Sequence, residues 1–134
     1  MAFFEWDDEY SVGIVEIDEQ HKKLLVMISE FYEAVKIDRE EAFAYLLDSI
    51  VDYVNKHFST EERYMDAYKY PDAASHKEEH AEFKDRILAV KEKLENGQQI
   101  VTLDTTRMLR HWVKDHVLGT DKEYSDFFIK RGLK

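Results

Sequence analysis

The 134 residues suffice for one packed core but not two, and a formal net charge of -10 makes the surface repel nucleic-acid phosphates and anionic membranes alike. There is no cysteine, which excludes disulfides, thiolate nucleophiles, iron–sulfur clusters and thiolate zinc sites together. Four glycines and one proline leave little punctuation for a many-stranded sheet and much room for long helices.

The first residues, MAFFEWDDEY, carry acids where a signal peptide carries bases, and no apolar run approaches transmembrane length. A cytoplasmic, monomeric protein with neither nucleic-acid nor membrane partner is expected. The arm over residues 1–17 is rich in aromatics (Phe3, Phe4, Trp6, Tyr10), contains Gly13 and lacks a helical period, so it reads as an extended strap over the rest.

Four helices follow. The first is expected to start near Asp18 as N-cap, with the apolar stripe Leu24, Leu25, Ile28, Phe31 or Tyr32, and Val35. The second opens at Asp38 with Glu41 three residues on, resembling a capping box, and its stripe Phe43, Leu47, Ile50, Val54 continues through His57 to Glu61. Tyr70-Pro71 ends it, because proline disfavours a helical residue before it. The third carries Phe83, Ile87, Val90 and Leu94, reaches back to His80 and His76, and stops at Asn96-Gly97. The fourth carries Leu109, Trp112, Val113 and Val117 and meets Gly119; a short tail helix over Asp121 to Lys130 closes the chain.

The expected fold is all-α: an up-down-up-down antiparallel four-helix bundle with an extended N-terminal arm and a short C-terminal helix. It forms a single domain over residues 1–134, divided into the arm (1–17), the bundle (18–118) and the tail (119–134). A coiled-coil dimer is the rival, but histidines and carboxylates interrupt the stripes too often for a plain seam.

Five of the six histidines continue an apolar stripe. His57 and Glu61 are four apart on the second helix, as are His76 and His80 on the third, a spacing that puts both side chains on one face. His21 lies three before Leu24, and His116 four after Trp112. His21, His76 and His80 lie near helix starts, while His57, Glu61 and His116 lie near helix ends; in an antiparallel bundle these are the same end. One inward histidine is an ordinary core residue. Five of them with two carboxylates in one layer would leave many unsatisfied polar groups unless a metal bound them.

Imidazole with carboxylate suits iron, zinc, copper or nickel, and seven ligands suit two ions bridged by carboxylates. Oxidase-type di-iron bundles use four carboxylates and two histidines. Here the balance is inverted, and five neutral ligands leave a metal pair less able to cleave dioxygen.

The stretches Asp18-x-Gln20-His21, His57-Phe58-x-x-Glu61-Glu62-x-x-Met65, Tyr70-Pro71…His76-x-x-x-His80-x-x-Phe83 and Trp112-x-x-x-His116-x-x-x-x-Asp121, with Trp6 in the arm, resemble the hemerythrin family, in particular its single-domain bacterial members. The resemblance covers essentially the whole chain; Ser29 departs from it, where many relatives have asparagine. It implies reversible dioxygen binding for storage, delivery or scavenging, without catalysis. It also implies two iron ions with an oxo or hydroxo bridge. His76, His80 and His116 would bind one iron, His21 and His57 the other, with Glu61 and Asp121 bridging and dioxygen at the open position of the two-histidine iron.

Asp121 follows His116 by five, so an ideal helix would aim it away, and Gly119 is the expected site of a break or bulge that re-aims it. Leu24, Phe58, Trp112, Val113 and Val117 are expected to line the dioxygen pocket, keeping it dry. Tyr124, three after Asp121, is placed to hydrogen-bond a ligand, whereas Glu62 and His111 fall off the stripes and read as exposed. The rival functions are a di-iron peroxidase or nitric-oxide-handling protein, a sensor module, and a metal-free bundle. No added base or substrate cleft marks the first and no signalling segment the second, and the ligand layer argues against the third.

Overall fold

A computed structural model describes residues 2–97 and 103–134. Among these, the helices are α1 (Val15–Lys36), α2 (Glu40–Tyr68), α3 (Ala73–Glu95), α4 (Leu103–Asp115) and α5 (Lys122–Ile129), with a π-helical turn, His116–Asp121, joining the last two. No described residue is in a strand. α1 packs against α2 and α4, and α2 against α3, as an up-down-up-down bundle requires. No helix is long and apolar enough to cross a membrane among the described residues.

The stripes bury as their spacing demands: Leu24, Ile28 and Phe31 from α1, Phe43, Leu47, Ile50 and Val54 from α2, Phe83 and Ile87 from α3, and Leu109 and Val113 from α4 form one apolar cluster. Phe31 is the fully buried member of the Phe31/Tyr32 pair, while Tyr32 is half-buried and stacks on Phe3 at 3.9 Å. A second cluster at the other end joins Val12, Ile14, Ile17, Met65, Tyr70, Tyr124 and Phe128. It ties the arm and α5 beneath the ends of α1 and α2.

The helix starts differ from expectation. α1 begins at Val15, three residues before Asp18, and Asp18 does not cap it. Its carboxylate instead accepts hydrogen bonds from the Val12 N–H (2.8 Å) and the Ser11 hydroxyl (2.5 Å), holding the incoming arm. Asp38 does not cap α2, which begins at Glu40. Asp38 sits at φ 59°, where the Arg39 N–H reaches Ala34 O (2.9 Å) and the Asp38 N–H reaches Val35 O (3.1 Å), so it terminates α1. Lys69, at φ 56°, ends α2 in the same way, with the Tyr70 N–H on Met65 O. In both connections the last carbonyls of the preceding helix compete better for the turn than the first N–H groups of the next.

The arm is a strap with one 3₁₀ turn, Asp8–Tyr10; Met1 lies outside the described residues. The Ser29 hydroxyl accepts from the Phe4 N–H (3.0 Å) and donates to Phe4 O (3.3 Å), pinning the arm to α1. Gly13 has φ 75°, and a Cβ there would stand 2.7 Å from the Ile129 side chain, so this position needs glycine for both conformation and space.

Candidate metal centre

Four elements deliver seven polar side chains to one layer between the two apolar clusters. His21 comes from α1, His57 and Glu61 from α2, His76 and His80 from α3, and His116 and Asp121 from the ends of the π turn; all seven are buried. Phe58, from the first cluster, stacks on His80 at 3.7 Å, and Tyr124, from the second, stacks on His76 at 5.5 Å.

The π turn makes Asp121 available. On an α-helix, residues five apart point about 140° away from each other, whereas the wider π turn returns them to one face. Gly119 is not what permits it. Its φ is not positive, and a Cβ would meet nothing within 4 Å. The turn is held instead by its ends and by Thr120, whose hydroxyl donates to Glu79 (2.8 Å). Gly119→Ala is therefore expected to leave the turn in place and to change stability by no more than about 1 kcal/mol, upward if at all. Thermal melting and metal analysis check this, and a marked loss of either stability or bound metal would return the bulge to the glycine.

All five histidines aim Nε2 at a carboxylate. Asp121 divides its oxygens: Oδ1 lies 3.0 Å from His76 and 2.9 Å from His116, and Oδ2 lies 3.1 Å from His21. Glu61 Oε1 lies 3.1 Å from His57 and 3.3 Å from His80, while Oε2 accepts a hydrogen bond from the Tyr124 hydroxyl. The donor atoms form two groups, Glu61/His76/His80/His116/Asp121 and His21/His57/Glu61/Asp121, each within 4.8 Å and sharing both carboxylates.

These side chains fit a pair of metal ions. Nε2 of His21, His76, His80 and His116, Oε1 of Glu61 and both Asp121 oxygens are buried without a hydrogen-bond partner. So many orphaned lone pairs converging on two points have no other ready partner. Donors about 2.1 Å from a shared ion and at right angles are about 3.0 Å apart, matching the spacings here.

The electrostatics agree. Burial alone would lower His116, but the Asp121 carboxylate outweighs it and lifts the imidazole to about 9. Burial lowers His57 further than Glu61 can restore. Burial pushes both Glu61 and Asp121 up, and the Asp121 charge pushes Glu61 further, yet the surrounding histidines hold both carboxyls well below the ordinary range. Burial, reinforced by Glu61 and Asp121, raises the Tyr124 hydroxyl and keeps it a donor. Two carboxylates this deeply buried call for cations.

The outward Nδ1 atoms are also held. The Thr60 hydroxyl donates to Lys56 O (3.1 Å) and accepts from Gln20 Nε2 (3.2 Å), so Gln20 presents its oxygen to His57 Nδ1 at 2.7 Å. His80 Nδ1 donates to Glu62 (2.8 Å), and His116 Nδ1 to Glu79 (3.1 Å). These acceptors place the proton on Nδ1 and leave Nε2 free to ligate. Glu62, expected to be exposed, is only 28% exposed and bound to His80. Gln20 was legible, since it stands four residues before Leu24 on the α1 stripe. Glu62 and Glu79 were not, because each sits beside a ligand in sequence, off the apolar period. His111 is exposed as expected.

Of the expected pocket residues, Leu24, Phe58, Val113 and Val117 are buried in the main cluster and Trp112 is half-buried against it. Phe58 lies 5.9 Å from His57 as well as against His80, spanning both donor groups. Trp112 stacks on His116 at 4.5 Å, beside the five-donor group.

Fold and site together define a helical bundle built to hold a pair of metal cations. Residues 12–127 match the family described as Hemerythrin HHE cation binding domain. The chain is 32% identical to a bacteriohemerythrin of Stenotrophomonas maltophilia over 94% of its length and 82% of that protein. It is 31% identical to one of Methylococcus capsulatus, over 92% and 95%. A solved wild-type hemerythrin superposes with a TM-score of 0.90 at 30% identity, covering 93% of this chain and 97% of that one. The chain belongs to the hemerythrin family.

Proposed function

We propose that this protein binds dioxygen reversibly at a di-iron centre held by His21, His57, Glu61, His76, His80, His116 and Asp121, and that it acts as a carrier without turnover. The observation that supports this most is the unequal sharing of donors: five protein ligands on one side, four on the other, with two carboxylates common to both. The larger group would hold its ion with five protein donors, and the smaller, with four, would leave its ion more open to a small ligand. The ferrous pair supplies the dioxygen affinity that no side chain has.

The chain's own residues make that affinity reversible. Glu61 and Asp121 hold the ions together, and the Tyr124 hydroxyl steadies the free oxygen of Glu61. Gln20, Glu62 and Glu79 fix the imidazole tautomers. Leu24, Phe58, Trp112, Val113 and Val117 exclude water and protons, which would otherwise let the iron lose electrons to dioxygen. A single domain over residues 1–134 that stays monomeric is part of the same reading, supported by mutual repulsion between chains of net charge -10.

Cycling the reduced protein between air and argon, while following visible absorbance and ferrous iron, tests the reading. The wild type is expected to return its dioxygen and stay ferrous over several cycles. Stoichiometric oxidation on first exposure would replace the carrier with an oxidase or peroxidase. Leu24→Ala, which touches no ligand, is expected to form the adduct initially and then oxidise faster by about ten-fold, since the apolar shell controls solvent access. An unchanged rate would remove Leu24 from the pocket.

A further inference from the structure

Beyond the donor count, the two halves of the centre differ in what stands behind their histidines. In the five-donor group, His80 and His116 each donate Nδ1–H to a carboxylate, Glu62 at 2.8 Å and Glu79 at 3.1 Å. In the four-donor group, His57 donates to the neutral amide oxygen of Gln20 at 2.7 Å. The remaining histidine of each group, His76 and His21, has an Nδ1 without a hydrogen-bond partner, so these two do not offset the difference.

The environments of the three acceptors sharpen the contrast. Glu62 and Glu79 are 28% and 41% exposed, so both carboxylates reach solvent while they hold the imidazoles. Glu79 is further fixed by two contacts from the Thr120 hydroxyl, at 2.8 and 3.1 Å, which bind it to the π turn carrying His116 and Asp121. Gln20 is buried, and Thr60 locks its orientation, so its oxygen cannot exchange with its nitrogen. A hydrogen bond from imidazole to carboxylate is charge-assisted and raises the basicity of the opposite nitrogen; one to an amide does so far less.

We infer that Glu62 and Glu79 are positioning residues that make the His76/His80/His116 half the tighter, more electron-rich subsite, whereas Gln20 keeps the His21/His57 half deliberately weak. The iron of the two-histidine half is then the first to leave and the last to load. The subsites hold their ions with separate affinities despite sharing Glu61 and Asp121. The inference rests on the di-iron reading above.

The test starts from the iron-loaded chain, under argon, with increasing concentrations of a chromophoric ferrous chelator. In the wild type, iron is expected to leave in two steps, one equivalent each, separated by at least ten-fold in chelator concentration. Glu62→Gln and Glu79→Gln keep an acceptor for the imidazole but remove its charge. Each is expected to make the second step easier by about ten-fold and leave the first unmoved. Gln20→Glu is expected to do the reverse, making the first step harder and closing the gap. A merely structural role would loosen both steps together and lower the melting temperature of the loaded protein. Release of both irons in a single step, or an equal shift of both steps in the glutamate variants, overturns the inference. A wild type carrying fewer than two irons overturns the di-iron reading itself.

Discussion

Removal of both irons is expected to lower the melting temperature by tens of degrees and to reduce the helical signal near 20 °C. Without metal, the layer contains seven buried donor atoms with no hydrogen-bond partner, among them both oxygens of Asp121. Each is a desolvated lone pair, and Glu61 and Asp121 add two negative charges within one buried cluster. Partial charging of the histidines compensates some of this, as the raised His116 shows. Yet burial holds His57 toward its neutral form, with its ring centroid 4.5 Å from that of His21, so charging cannot satisfy the whole layer.

Binding free energy at such a site is folding free energy. If iron contributes about 5 kcal/mol, a chain of this length shifts by roughly 15–20 °C, and a larger contribution shifts it further. Circular dichroism melts of the loaded and chelator-stripped protein measure the difference. Equal melting temperatures would mean that the apolar clusters on either side carry the fold unaided.

Asp121→Ala is expected to lower iron from two per chain to less than one, a larger loss than any single histidine substitution causes. His80→Ala removes one donor from one group. Asp121 supplies Oδ1 to the side of His76 and His116 and Oδ2 to the side of His21, so its loss opens both shells and one of the two links between them. Alanine is compatible with the helical backbone there (φ -66°, ψ -38°), so the helices should survive and the deficit should lie in the metal. Iron analysis of purified variants, with helical content as the control, decides the matter. A stoichiometry of two in Asp121→Ala would remove the aspartate from the bridge.

Most of the bundle and of its buried layer of histidines and carboxylates could be read before any coordinates, because both follow periodicity. Leu24, Ile28 and Phe31, or Phe43, Leu47, Ile50 and Val54, recur at the helical period, and burying them together is the dominant favourable term in folding. His57 with Glu61 and His76 with His80 share those stripes, so whatever buries the stripe buries them. Helix boundaries were less legible. Asp18 and Asp38 are good caps by composition, but each found a better partner: Asp18 in the N–H and hydroxyl of the arm, Asp38 in the left-handed end of α1.

The chain order alone thus determined an all-α bundle, the helix faces that pack inward, and a polar layer at one end rich enough in imidazole to require metal. Tertiary structure decided what depends on residues far apart in sequence. It set the π form of the bulge that the five-residue spacing of His116 and Asp121 already called for, the division of the Asp121 oxygens between the donor groups, the Tyr124 hydroxyl on Glu61, and the carboxylates behind His80 and His116. Periodicity reports which way a side chain points from its own helix. It carries no information on which partner from another helix meets it there, and that meeting, across 18 residues for Glu62 and His80 and 63 for Glu61 and Tyr124, is settled only when the helices pack.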